Sequence, residues 1–216
     1  MRTDRGLSFV DRPGGEASTP VAVLPTRRGP RLSVSPGRID PGNSAFASSR
    51  KPLAGEFRWD GERIFVVANH FNAKGGDQPL FGRFQPPARP SDVQRHGQST
   101  AVRMFADAVL ASDPRAKVVV LGDINDFEFS ETVNLLVGDD SLVDLPRTLP
   151  ADERYAYVFE GNSQTLDQIL VSDYLLSRFP LVYDVVHVNA EFADQASDHD
   201  PSVARIDLTG RPAPKP

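Results

Sequence analysis

The apolar run Val118-Val119-Val120-Leu121, stopped by Gly122-Asp123-Ile124-Asn125, constrains this chain more than any other stretch. Consecutive apolar residues of this kind read as a strand. The polar motif that ends the run falls at the carboxyl end of the strand, where an α/β scaffold places its chemistry. A second acidic motif, Ser197-Asp198-His199-Asp200-Pro201, stands directly before the alternating segment Ser202 to Leu208.

The rest of the chain frames these two points. Glu56-Phe57-Arg58-Trp59 and Arg63–Ala68 flank Asp60-Gly61, a two-residue hairpin signal, and the second strand runs into Asn69-His70-Phe71-Asn72. Residues 11–48 and 73–91 are rich in Pro, Gly and Ser and read as loops. Ser91-Asp92-Val93-Gln94 resembles a capping box. The helix after it would place Val93, Gln94, Gly97, Ala101, Met104, Phe105, Ala108 and Val109 on one side and stop by Asp113-Pro114. A strand Lys117–Leu121, a short helix around Glu131–Val137, a strand Thr165–Val171, a helix Tyr174–Arg178 capped by Ser172-Asp173, and strands Leu181–Val188 and Ser202–Leu208 complete the expectation. Strands alternating with helices, plus hairpins, predict a layered α/β architecture with mixed sheets.

Composition removes several classes. The chain has 216 residues, enough for one domain with a core. No apolar run approaches the ~20 residues of a membrane helix, so stable membrane insertion is not expected. Leu7-Ser8-Phe9-Val10 is too short for the core of a signal peptide. There is no cysteine, so disulfides and thiolate ligands are excluded and any metal must sit on oxygen or imidazole. A net charge of −5 argues against a protein that merely coats nucleic acid, but a metal-dependent nuclease needs carboxylates.

Four points fall at or near strand ends: Asn69-His70, Asp123 with Asn125, Asp167, and Asp198-His199. Phosphodiester hydrolysis needs a carboxylate to activate water and a hard cation or protonated histidine to offset the developing charge. It also needs a second carboxylate to hold that histidine in one tautomer. Magnesium keeps several waters, so one or two carboxylates suffice. Singly, each residue has a plainer reading: Asp123 as a turn residue, His70 as a core histidine, Asp198 and Asp200 as turn formers. Asp167 fits such a reading less well. It interrupts Leu166…Ile169-Leu170-Val171, where a carboxylate needs a partner, and His199 is the candidate.

Asn69-His70-Phe71, Gly122-Asp123-Ile124-Asn125, Leu166–Ser172 and Ser197–Pro201 occur in the order of the endonuclease/exonuclease/phosphatase superfamily. The chain resembles that superfamily from about Arg2 to Leu208. The stretches Ser49–Leu53, Asn72–Asp77 and Tyr157–Gly161 look most like its bacterial extracellular-nuclease branch. The resemblance implies a layered α/β sandwich of the deoxyribonuclease I type. It implies a divalent-metal-dependent phosphodiesterase, foremost a nuclease acting on DNA or RNA, using Mg2+ with Mn2+ or Ca2+ as equivalents. A phospholipid or inositol phosphate is the alternative substrate; a non-catalytic fragment or interaction module is the alternative role.

By resemblance, Asp123 would orient or deprotonate the attacking water and Asn125 would hold that water or a phosphate oxygen. His199 would stabilise the scissile phosphate with Asp167 fixing its ring. His70 would contact the phosphate or assist the leaving group, and Asp198 would help bind the metal. Arg50, Asn72 and Lys74 would contact substrate. Members of the family carry an N-terminal half with an early Asn and a Gln-Glu motif that ligates the metal, and this sequence has neither. Residues 1–208 are therefore expected to be the C-terminal portion of the domain, with Arg2–Val10 a strand, the missing half as partner, and 209–216 a flexible tail. Such a portion would leave apolar surface uncovered. The branch implies an extracellular location.

Overall fold

The computed structural model describes residues 8–9, 19–79 and 81–209. Its centre is a seven-stranded mixed sheet of β1 (Ser8–Phe9), β4 (Gly37–Arg38), β5 (Leu53–Trp59), β6 (Glu62–His70), β7 (Lys117–Asp123), β8 (Leu142–Asp144) and β11 (Asp167–Ser172). The spatial order is β1-β5-β6-β7-β11-β8, and β4 also pairs with β5. Two-stranded pairs lie outside it: β2 (Val23–Leu24) with β3 (Arg31–Leu32), β9 (Tyr157–Phe159) with β10 (Asn162–Gln164), and β12 (Leu181–Val185) with β13 (Ser202–Ile206). Of the strand expected over Arg2–Val10, Ser8 and Phe9 pair with Arg58 and Phe57. The remainder of that stretch, loop residues 10–18 and tail residues 210–216 lie outside the described residues.

The β5–β6 hairpin closes at Asp60 and Gly61, both at positive φ (47° and 84°), as a two-residue turn of the right twist requires. Of the described strand pairs in the central sheet, only β6 and β7 run parallel, and the helix α1 (Asp92–Ser112) makes the crossover between them. The period of two explains the continuous apolar strands. Phe65, Val67, Val118 and Val120 face one layer, with α1 and the short helix α2 (Glu131–Val137). Ile64, Val119, Ile169 and Val171 face the other, under the helix α3 (Asp173–Arg178) and the β12–β13 hairpin. The hairpin buries Tyr183 and Val185 and turns Val182 and Val203 outward, about half exposed, with Val186, Val188 and Phe192 exposed nearby.

Three sequence expectations need correction. The buried stripe of α1 is Arg95, Gln98, Ser99, Ala101, Val102, Phe105, Ala106 and Val109; Ala101, Phe105 and Val109 are buried as expected, whereas Val93 (79%) and Met104 (67%) are exposed. Apolar periodicity could not find the N-terminal half of this face, because it is polar and satisfied by loops distant in sequence. Ser91 forms no capping box: its hydroxyl bonds Asp77 Oδ2 and Arg95 Nη1. Ser172 precedes α3 without a side-chain cap, its hydroxyl donating to Ala116 O and accepting from Val118 N.

One core group carries a stability signature. Asp144, at the end of β8, is buried, pairs at 3.3 Å with Arg147, and has neither carboxylate oxygen hydrogen-bonded among the described residues. Burial pushes its pKa up to about 7, against the pull of Arg147. The unfolded chain releases this proton near pH ~4. Between those values the folded state holds the extra proton, so stability falls as pH rises. Asp144→Asn should flatten that slope: thermal melts at acid and mildly alkaline pH should show the wild type losing more than the variant. Parallel slopes would count against a neutral Asp144.

Candidate active site

Strand register assembles the centre. His70 ends β6 opposite Asp123, which ends β7, and Asp123 stands opposite Asp167, which begins β11. Three adjacent strands thus place an imidazole and two carboxylates in one row. Asp123 and Asp167 are neighbours of like charge. Burial and then that repulsion raise the Asp123 pKa, while the amide of Asn125 and the two histidines act in the other direction.

Asn125 sits at φ 55°, a left-handed conformation that asparagine tolerates better than most residues. Its backbone amide donates to Asp123 Oδ1 at 2.8 Å, and its Nδ2 donates to Phe71 O and Asp123 Oδ2, both at 3.1 Å. His70 Nδ1 lies 3.4 Å from the same Nδ2 and 3.5 Å from Asp123 Oδ2. With its nitrogen so engaged, Asn125 has its amide oxygen left to accept a hydrogen bond from a water.

His199 arrives from the other side. Its Nδ1 lies 2.5 Å from Asp167 Oδ2, and that hydrogen bond raises the imidazole pKa, against its partial burial. Nδ1 engaged with Asp167 leaves Nε2 for the cleft that His199 lines. The segment is held by Asp200, whose Oδ1 accepts from the amides of Val188, Asn189 and Ala190, while His187 Nδ1 lies 3.2 Å from its Oδ2. Those bonds outweigh burial and keep the Asp200 pKa low. Tyr157 bridges to His199 through the backbone and tilts over its ring at 4.7 Å.

The cleft beside this row measures about 590 Å³ and is lined by Lys74, Arg89, Asn125, Tyr157, Asp198 and His199, among others. Lys74 sits 4.4 Å over the Phe127 ring, and burial lowers its pKa to about 8, partly offset by Asp126. Asp198 is exposed on the cleft wall. Arg50 is exposed and outside the cleft lining; Asn72 is tied to Gln98 through its amide and also does not line it.

Several supporting residues were not named from the sequence. Arg95, fully buried, reaches Asp126, Asp92, Asp77, Ser91 and the carbonyl of Asn72. Asp126 also takes Arg89 at 2.7 Å and Thr132 at 2.6 Å, and Tyr157 covers His199. The signals in the sequence were the adjacency of Asp126 to the Asp123 motif and the place of Tyr157 at the head of the Tyr157–Gly161 stretch. Arginine in a helix otherwise reads as a solvated charge.

Among the described residues, no three His, Asp or Glu side chains form a metal-binding group. Asp198 and Asn125 bring oxygen donors to the same cleft, the chemistry that a largely hydrated hard cation takes. No described helix is long and apolar enough to cross a membrane.

A model of the Endonuclease/Exonuclease/phosphatase family matches residues 33–200. No curated protein gives a significant match. Among solved structures, a mannosyl-6-phosphatase from Bacteroides thetaiotaomicron superposes with a TM-score of 0.52 at 17% identity, covering 74% of this chain and 57% of that one. Truncated TDP2 from Caenorhabditis elegans gives 0.57 at 14% identity, covering 93% and 75%. The 3′ phosphatase NExo from Neisseria, bound to a product DNA hairpin, gives 0.50 at 18% identity, covering 76% and 68%. At these identities the likeness is one of fold, the layered α/β fold of the deoxyribonuclease I type. The chain spans 57% of the length of the mannosyl-6-phosphatase it matches.

Proposed function

The chain belongs to the endonuclease/exonuclease/phosphatase family, and from that premise we propose that it serves a metal-dependent phosphodiesterase acting on nucleic acid. The observation that carries the reading is the Asp167–His199 pair at 2.5 Å set against Asp123, Asn125 and His70 at registered strand ends. A phosphate in the cleft would meet His199 Nε2 on one side and the Asn125 amide oxygen, through a water, on the other. Asp123 takes the proton of that water as its oxygen bonds to phosphorus; the upward shift of its pKa makes it a stronger base than a free carboxylate. The bond from phosphorus to the leaving oxygen breaks, and His70 is placed to return a proton to it. Protonated His199, its charge supported by Asp167, stabilises the added negative charge. Lys74 and Arg89 bring positive charge to the same cleft. A magnesium ion held through Asp198 and Asn125, or manganese or calcium in its place, would supply further charge neutralisation when bound.

Residues 1–208 would act here as the C-terminal portion of the family domain, with Arg50 and Asn72 flanking the substrate path. The test is nicking of supercoiled plasmid with magnesium. Chelator, His199→Ala and Asp123→Asn should each abolish it, and hydrolysis of a diester such as bis(p-nitrophenyl) phosphate should exceed that of the corresponding monoester. Intact plasmid across magnesium, manganese and calcium would defeat the reading for this chain. Cleavage of sphingomyelin or an inositol phosphate in place of DNA would move the substrate class and keep the chemistry.

A further inference from the structure

The catalytic cleft opens sideways into a second cleft of about 630 Å³, and Phe127 and Phe159 line both. Ring faces run between them. Tyr157, over His199, is nearly parallel to Phe159 (6.3 Å, 10°), and Phe127 is nearly parallel to Phe129 (5.2 Å, 12°). Phe159 and Phe129 are 51% and 68% exposed, and Phe81, on the same cleft, 79%. Clustered exposed phenylalanines mark a binding surface, since their area in water is unfavourable without a partner.

Charge selects the occupant. Lys74 and Arg89 line the catalytic cleft alone, whereas the second cleft has the carboxylates of Glu128 and Asp152, shares Glu160 with the first, and has, among the described residues, no lysine or arginine. A second phosphate would be repelled there. An acyl chain would strip water from those carboxylates and return no hydrogen bonds. A nucleobase satisfies both demands: its face stacks on the rings and its amino edge donates to the carboxylates. In a duplex each base face is already stacked on its neighbours, so only an unpaired base can enter.

We propose that the second cleft is a nucleobase subsite, in which the base next to the scissile phosphate stacks on Phe159 and Phe129 with its amino edge towards Glu160 and Asp152. The inference rests on the phosphodiesterase reading above and adds the substrate class: single-stranded nucleic acid or frayed ends.

The experiment uses the full chain carrying His199→Ala, to prevent cleavage, and a short single-stranded oligonucleotide containing 2-aminopurine. Saturable quenching of the base is expected for the single strand and not for the same base in a duplex. Phe159→Ala with Phe129→Ala should weaken binding roughly five- to hundredfold, the scale of one lost base–aromatic stack. The same double variant should bind an abasic analogue as the parent does. Both rings are exposed, so the variant should melt with its parent. Binding without quenching, or equal weakening for the abasic analogue, would overturn the subsite and leave the phosphodiesterase reading standing. Failure to bind any oligonucleotide would remove the nucleic-acid reading and the subsite with it.

Discussion

Gly122→Ala is expected to cost more than about 3 kcal/mol and to dismantle the active centre with it. A Cβ built at Gly122 falls 2.1 Å from the carbonyl oxygen of Asn69 and 2.9 Å from its carbonyl carbon. The backbone stands at φ 128°, a conformation that side chains rarely adopt. Neither atom can yield cheaply, because Asn69 and Gly122 are register partners in the parallel β6–β7 ladder. The side-chain amide of Asn69 further clamps the strands by donating to Val67 O and Leu121 O, both at 3.1 Å. Relief would have to come from separating β6 and β7 just where His70 and Asp123 meet. Denaturant titration measures the loss. Gly42→Ala, with nothing within 4 Å of its Cβ, is the neutral control. A Gly122→Ala chain as stable as that control would show that the strand ends stand further apart than this register places them.

Asp167→Asn is expected to lower kcat on the order of 10³–10⁴-fold at neutral pH with little change in KM, the effect known when a histidine loses its orienting carboxylate. The shape is conserved, so strand β11 and its register with Asp123 should survive. The charge is lost, and with it the hydrogen bond that most raises the His199 pKa. A titration of His199 by nuclear magnetic resonance should therefore move down towards or below the ordinary value of ~6.5. That readout is independent of turnover. An unchanged His199 titration would mean that the 2.5 Å contact does not hold in solution. The Asp123 pKa should fall as well: removing the neighbouring negative charge removes part of what raises it.

The two effects divide what the residues announce from what packing decides. The strand Val118–Leu121, the hairpin at Asp60-Gly61 and the helix Glu131–Val137 stand where local pattern put them, because period-two apolarity, turn chemistry and capping act within a few residues. His70, Asp123, Asn125 and Asp167 could be named in advance because a polar residue that ends or interrupts an apolar strand loses water and needs a partner or a ligand in return. The Asp167–His199 partnership was foreseeable on the same ground.

Of the buried face of α1, only Ala101, Phe105 and Val109 were foreseen; its polar N-terminal part was not. Arg95 is buried only because Asp77 and Asp126 converge on it from loops far along the chain. Nor does local sequence place Tyr157 over His199, or bring Phe159 and Phe129 to one cleft, because each contact joins segments that only the fold brings near. By itself the sequence determined the kinds of strand, the turns between them and the polar groups at their ends. The tertiary structure decided which of those groups meet, how Arg95 and Asp200 tie the surrounding loops, and what lines the cleft beside them. Hydrophobic period and turn preference are short-range properties of the chain, whereas register, charge compensation and ring stacking exist only once distant segments are packed together.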